Sequence, residues 1–390
     1  MIETGIPKLD GYLHGGVPEG RSLVYYTYPG VAGDVFGMQT ICHATSNGRL
    51  GVYVASSTDP QMIRDQFSEF GWATENYDGR FIVVDAFSWL IGADSQERYV
   101  VSDPEDINSL TQCIKKVMEE MSEPGIIVFE SLSTIMDLCG ESETLDALEE
   151  WSQYAMLYDH ALVYNFTAWP YSEETLLHVK ENVCNSVISV GGITGDVVFG
   201  QYFGVLKVDW ADLARKSTLF KVLKPGGIRA YIPKILVTGP FDAGKSTFVH
   251  ALSNRAVSVD RLGTTIALDH GHVDRKGFAA DIFGTPGQER FDPIVKLLSG
   301  EAMGIFLLLD STNTADFERG KRMLEITKSF GLPVVIVANK QDLAEALTPE
   351  EIRRELDMPA DVRIMPAVAA TGEGVFEAFE TLVERVMEVD

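Results

Sequence analysis

Two short stretches of this chain hold residues whose types and spacing suit a phosphorylated nucleotide. The first, Lys234-Ile-Leu-Val-Thr-Gly-Pro-Phe-Asp-Ala-Gly-Lys-Ser-Thr247, is an apolar strand running into a G-x-x-x-x-G-K-S loop. Gly239 and Gly244 let backbone N–H groups wrap phosphate oxygens, Lys245 neutralises the β and γ oxygens, and Ser246 offers a hydroxyl to Mg²⁺. The segment Thr247–Leu252 is expected to start a helix whose N-terminus faces the anion. The second stretch, Asn339-Lys340-Gln341-Asp342, follows the apolar strand Pro333–Ala338. The Asp342 carboxylate can accept bonds from the N1–H and exocyclic amine of guanine. Adenine presents a lone pair at N1 and would be repelled. Asn339 and Lys340 can brace the base and the loop. The two stretches together predict GTP or GDP as ligand, with Mg²⁺.

Such loops need strands and helices to hold them. Apolar strand-like runs alternate with stretches of helical period from end to end, for example Leu23–Tyr26, Gly51–Val54, Phe81–Val84, Ile126–Phe129 and Leu162–Asn165, then Ile235–Val237, Phe278–Phe283, Gly304–Leu309 and Val334–Ala338. Helical stretches are expected near 60–70, 106–122, 143–158, 316–329, 349–356 and 375–388. This alternation implies α/β units around a mostly parallel sheet. At 390 residues the chain exceeds the size at which one core keeps growing. The breakers in Lys224-Pro-Gly-Gly-Ile-Arg-Ala-Tyr-Ile-Pro233 put the junction there, giving expected domains 1–230 and 234–390.

Here the second domain resembles the Ras-like small GTPases, particularly prokaryotic members related to Arf-type and gliding-motility GTPases. The phosphate loop Gly239–Ser246 carries the resemblance, with Gly263-Thr-Thr-Ile266, Gly284-Thr-Pro-Gly-Gln-Glu-Arg-Phe291, Asn339–Asp342 and Ala369-Ala-Thr-Gly372. It implies phosphate contacts from Asp242, Ala243 and Thr247 beside the loop residues already named. It also implies that Thr265, with Thr264 as the alternative, closes on Mg²⁺ and the γ-phosphate beside Ser246. Gly287 becomes the γ-phosphate sensor and Gln288 the residue that positions the attacking water, with Lys245 and Thr265 sharing the catalytic work. The base would meet the Ala369 backbone, next to Ala370. One departure matters: the family has Asp where this chain has Gly284, and that Asp supports Mg²⁺ through water. Asp281 could reach inward only with a shifted register or an altered loop. Gly284→Asp is therefore expected to raise Mg²⁺ affinity. No arginine stands where a catalytic finger is evident, and Arg290 reads as structural.

Residues 1–230 resemble the RecA-like domain of the KaiC-like clock ATPases, through Thr4-Gly-Ile-Pro-Lys-Leu-Asp10, Gly15-Gly-Val-Pro-Glu-Gly20, Phe81–Ser88 and Ile127–Ser133. The fold class expected is thus α/β, two P-loop NTPase-type three-layer α/β/α domains, RecA-like and then Ras-like. In the first domain the nucleotide site reads as lost. Where the family has a G-x-P-G-x-G-K-T loop, Tyr26-Thr-Tyr-Pro-Gly-Val-Ala-Gly-Asp-Val35 puts Gly33 for the lysine and Asp34 for the Mg²⁺-binding hydroxyl. The acidic catalytic pair corresponds to Ser57 and Thr58, and only Glu130 keeps a charge at the later strand end.

Composition narrows the function further. With 57 Asp plus Glu against 32 Lys plus Arg, the formal net charge is -25, which argues against binding nucleic acid or anionic lipid. Cys42, Cys113, Cys139 and Cys184 lie far apart without a C-x-x-C pair, so free thiols and a cytoplasmic setting are expected. Neither MIETGIPKLDG at the start nor VMEVD at the end leads us to expect a signal peptide or lipid anchor, and no run of 18 apolar residues predicts a membrane span. Three readings stay open: a GTP switch whose inactive first domain binds a protein partner or associates with itself, a dual enzyme that still consumes ATP in the first domain, and a structural module that binds GTP with little hydrolysis.

Overall fold

The computed structural model describes residues 1–77, 79–194, 198–212, 217–253, 255–258, 269–275, 278–288, 292–293, 302–328 and 331–387. The chain forms two compact units, one built on Met1–Gly192 with Gly200–Tyr231, the other on Ile193–Phe199 with Ile232–Asp390.

In the first unit the strands are β1 (Ser22–Thr27), β2 (Leu50–Ala55), β3 (Phe81–Asp85), β4 (Tyr99–Val100), β5 (Gly125–Phe129), β6 (Ala161–Thr167), β7 (Ser186–Thr194), β8 (Val198–Val208), β9 (Ser217–Leu223) and β10 (Gly227–Tyr231). They pair in the order β10-β9-β8-β7-β1-β6-β5-β2-β3-β4. From β7 across to β4 every described pairing is parallel, whereas β8, β9 and β10 pair antiparallel. The helices are α1 (Pro7–Tyr12), α2 (Asp34–Ser46), α3 (Pro60–Glu69), α4 (Ile107–Glu120), α5 (Leu132–Cys139), α6 (Glu141–Leu157) and α7 (Glu173–His178).

The central parallel strands β1, β2, β5 and β6 are largely apolar because helices or further strands cover both faces. Leu23, Tyr25, Tyr53 and Val163 pack with Phe36 and Ile41 of α2 and with Phe203 and Phe220 of the antiparallel strands. Val24, Tyr26, Ile127 and Leu162 face Leu110 and Ile114 of α4 and Trp151 of α6 on the opposite side. Breaker residues Lys224–Gly226, expected at the junction, form the turn between β9 and β10, whose register runs from Gly227↔Leu223 to Tyr231↔Leu219.

The second unit contains β11 (Lys234–Thr238), β12 (Arg255–Ser258), β13 (Asp269–Arg275), β14 (Phe278–Gly284), β15 (Ala302–Asp310), β16 (Val334–Asn339) and β17 (Arg363–Pro366), with α8 (Lys245–Leu252), α9 (Phe317–Lys328), α10 (Pro349–Glu355) and α11 (Val375–Met387). Strand order is β12-β13-β14-β11-β15-β16-β17. The run from β14 to β17 is parallel, and β12 and β13 add an antiparallel edge. Leu236, Ile305, Leu307 and Ile336 pack against Met323 and Leu324 of α9 and Ile352 of α10. On the other face Phe306 meets Phe248 of α8 edge-on, with ring centroids 5.2 Å apart. In both units the helices therefore flank the sheet on its two faces, the three-layer arrangement expected. Because β11 lies between β14 and β15, the chain leaves its carboxyl end at a crevice where the strand order reverses, the usual ligand position in open α/β sheets.

Candidate nucleotide site

The phosphate loop leaves β11 at Gly239, whose φ of +147° suits glycine alone; an added Cβ would lie 2.2 Å from the Leu308 carbonyl oxygen. Gly244, at φ +88°, ends the loop and caps α8, and a Cβ there would meet Asn339 Nδ2 at 2.3 Å. Asp242 also adopts a positive φ, +62°, a conformation that aspartate tolerates better than most residues. Ala243 is buried, whereas Ser246 and Thr247 are exposed at the first turn of α8. The N–H groups of that turn thus open onto the loop, as an anion site requires.

Lys245 folds back to donate from Nζ to the Pro240 carbonyl, inside the curve of the loop. Burial pulls its pKa down to about 8, and the charges of Asp269 and Asp242 only partly oppose that. A desolvated ammonium held by one carbonyl is a group that an anionic ligand would stabilise.

Asn339–Asp342, expected to meet a guanine base, sits at the end of β16. Asn339, 2% exposed, donates from Nδ2 to the Ala243 carbonyl at 2.9 Å and accepts the Ala369 N–H on Oδ1 at 2.9 Å. This amide links the phosphate loop to the loop of Ala369 and Ala370. The Ala369 N–H, expected to face the guanine carbonyl, is engaged by Asn339, so a base would have to share it. Lys340, at φ +65°, donates to Asp310 Oδ2 at 2.7 Å and lies 3.7 Å from Asp242. The Asp310 bond raises the pKa of Lys340. Burial alone would raise that of Asp310, but the bonds from Lys340 and Thr312 hold it below its ordinary value. Gln341 turns its side chain away to Ser311 Oγ and the Leu347 carbonyl, which leaves Asp342 exposed at the loop's edge. Asp310 supports the site without a motif of its own, since only the pairing Asp310↔Asn339 between β15 and β16 brings it there.

After β14 the chain returns to the phosphate loop. A Cβ on Gly287 would fall 2.5 Å from Phe241 N and 2.7 Å from the Gly239 carbonyl oxygen, so only glycine permits this approach. Gln288 is exposed immediately beyond it. Arg319 on α9 donates to the Gly287 carbonyl at 3.3 Å and pairs with both carboxylate oxygens of Asp292. No sequence motif pointed to this arginine. Thr264, Thr265 and Arg290 lie outside the described residues.

Gly284 closes β14 opposite Asp269, the first residue of β13. The Asp269 carboxylate accepts the Ser246 hydroxyl at 2.5 Å. The alternative carboxylate, Asp281, accepts from His272 Nδ1 at 2.9 Å instead. It lies an odd number of residues from Gly284 along the strand and so projects from the other face. A hydroxyl with a carboxylate against it, at the end of a phosphate loop, is a donor set that suits a hard divalent cation such as Mg²⁺.

In the first unit the corresponding loop packs tightly: a Cβ on Gly33, which stands where the resembled family has lysine, would lie 1.9 Å from Thr27 Oγ1 of β1. Asp34 is exposed at the start of α2, and Glu130 is taken up by the N–H groups of Ser56 and Ser57 and by the Ser57 hydroxyl.

Two family models match the chain: that of the KaiC ATPases over residues 2–234, and that of the ADP-ribosylation factor family over residues 212–386. Among curated relatives, a UPF0273 protein of Aeropyrum pernix is 36% identical over 137 residues, which cover 34% of this chain and 55% of the relative. One from Thermotoga maritima is 32% identical, covering 34% of this chain and 56% of the relative. The chain spans about half the length of the curated relatives it matches. A crystal structure of a KaiC-like protein from Pyrococcus horikoshii is similar at a TM-score of 0.49 and 21% identity, covering 59% of this chain and 98% of that one. The chain therefore belongs to the KaiC family and carries an Arf-family domain after its KaiC-like one.

Proposed function

We propose that this protein is a guanine-nucleotide switch: the second unit binds GTP with Mg²⁺ and hydrolyses it slowly to GDP and phosphate. The first unit has lost its nucleotide site and serves as an interaction or regulatory module, either for a protein partner or for self-association. The observation that carries the reading is the Asn339 amide, which ties the phosphate loop at Ala243 to the Ala369 loop and leaves Asp342 exposed beside them. That arrangement offers N–H donors and a lysine to phosphates at one end and a carboxylate to guanine at the other. Lys245 would hold charge on the transferred phosphoryl group, Gln288 would orient water, and Mg²⁺ bound near Ser246 would supply further charge neutralisation. Such a site turns over slowly until a partner completes it, so its useful output is the difference between the GTP and GDP forms. The charge of -25 makes a protein partner more compatible than nucleic acid or an anionic membrane. No described helix is long and apolar enough to cross a membrane, and we place the protein in the cytoplasm.

Calorimetry of the full chain with GTP, GDP and ATP tests the reading: the guanine nucleotides are expected to bind and ATP is not. Asp342→Asn should lower GTP affinity by about 1.5–3 kcal/mol, the worth of hydrogen bonds to a charged group. Gln288→Ala should slow single-turnover hydrolysis by about a hundredfold with binding retained. Equal affinity for ATP and GTP would reject the guanine assignment, and unchanged turnover would reject the role of Gln288.

A further inference from the structure

Resting on the guanine-nucleotide reading above, we propose that Asp269 supplies the Mg²⁺-supporting carboxylate that position 284 lacks, delivered from the neighbouring strand. The antiparallel register sets Asp269 directly across from Gly284. A Cβ built on Gly284 would lie 3.1 Å from Asp269 Cβ and 3.2 Å from Asp269 Oδ2, and 3.4 Å from Val249 Cγ2 of α8. The Asp269 side chain thus borders the volume into which a residue at 284 would extend. Its Oδ2 accepts the hydroxyl of Ser246, the very group expected to face the metal, at 2.5 Å. Its charge is also the strongest favourable one acting on Lys245.

The two positions constrain each other. With a carboxylate at 269, a side chain at 284 forces a contact tighter than side chains ordinarily make, and an aspartate there adds like-charge repulsion. Glycine at 284 is therefore the complement of aspartate at 269. This revises the expectation for Gly284→Asp: alone it crowds Asp269 and lowers Mg²⁺ affinity, and it becomes useful only when Asp269 is removed. Asp281 cannot take the part, because it faces away and is held by His272.

The test is metal binding itself. Mn²⁺, used as a paramagnetic substitute for Mg²⁺, is titrated into the full chain saturated with GDP and followed by electron paramagnetic resonance. Asp269→Asn is expected to weaken Mn²⁺ binding by about 10- to 100-fold, as loss of a carboxylate supporting a metal does, while GDP still binds in EDTA. Asp281→Asn should leave Mn²⁺ affinity at the parent value. Asp269→Gly with Gly284→Asp should recover most of the loss, because the carboxylate returns from the other strand. Parent-like Mn²⁺ affinity in a GDP-loaded Asp269→Asn protein overturns the assignment. Should that variant lose GDP even in EDTA, the double variant decides: recovery supports the exchange of positions, and no recovery overturns it. A parent chain that holds no GDP at all would instead bring down the guanine-nucleotide reading, and this inference with it.

Discussion

The chain holds two strand-loop-helix corners with the same layout and opposite contents. At the second, Gly244 in a left-handed conformation leads into Lys245 and Ser246 at the head of α8, and the lysine lies within the loop's curve. At the first, Gly33 stands at the lysine position and is pressed so closely onto Thr27 that not even a Cβ fits, while Asp34 opens α2. Both corners keep the helix N-terminus that attracts an anion. On the reading proposed above, a helix end alone does not make a phosphate site: space for the phosphate and a cation to meet it are separate requirements, and the first corner, with Gly33 against Thr27, offers neither.

The sharpest way to break this comparison is to silence the second corner. Lys245→Ala in the full chain should cost about 2–5 kcal/mol of GTP binding, the usual loss when one member of a buried charge pair is truncated. It should also leave no ATP binding for the first corner to reveal. Calorimetry showing micromolar ATP binding in that variant would mean that the first corner is alive.

A smaller effect is expected from rebuilding the first corner in the Lys245→Ala background. Gly33→Lys with Asp34→Thr restores the family's residue types but drives a side chain into Thr27. Overpacking of this kind costs about 1–3 kcal/mol, visible as a lowered melting transition with no ATP bound. Recovery of ATP affinity would show that loop chemistry, and not its collapse, is what the corner lacks.

The smallest effect sharpens the second corner's electrostatics. Burial holds Lys245 near pKa 8 in the free protein, and a bound phosphate raises it. Binding then takes up a proton once the pH exceeds about 8, so affinity falls as pH rises. The limit is about tenfold per unit. Fluorescence titration with GDP between pH 8 and 9, below the range in which guanine loses its N1 proton, measures the slope. A flat profile would place Lys245 in a more solvated setting than the ligand-free loop implies.

What the amino-acid sequence made legible follows from how local each feature is. The loop Gly239–Ser246 and the tetrapeptide Asn339–Asp342 are contiguous, so spacing alone singled out Lys245, Ser246, Asn339 and Asp342 as candidates. The long amphipathic helices α4, α6 and α11 also emerged near their observed bounds. Asp269 was missed because its meaning comes from a partner strand: nothing within 15 residues of Gly284 marks one aspartate over another until the β13–β14 register is known. Asp281, three residues before Gly284, was the natural candidate by proximity, and strand alternation turned it to the wrong face. Asp310 and Arg319 likewise reach the site through pairing and packing and not through spacing. The antiparallel strand β8 was hidden for a related reason, since Gly200 and Gly204 interrupt its apolar residues, whereas the buried parallel strands present unbroken apolar runs.

The Asn339 amide has a consequence for how a ligand is felt. One buried side chain holds the loop for phosphates and the loop for the base, so neither loop can shift without straining the other. Occupying either half of the site prepays part of the ordering cost of the other half. On the guanine-nucleotide reading, base identity and phosphate grip would act as one cooperative quantity, and a ligand that satisfies only one end would forfeit more than the contacts it fails to make.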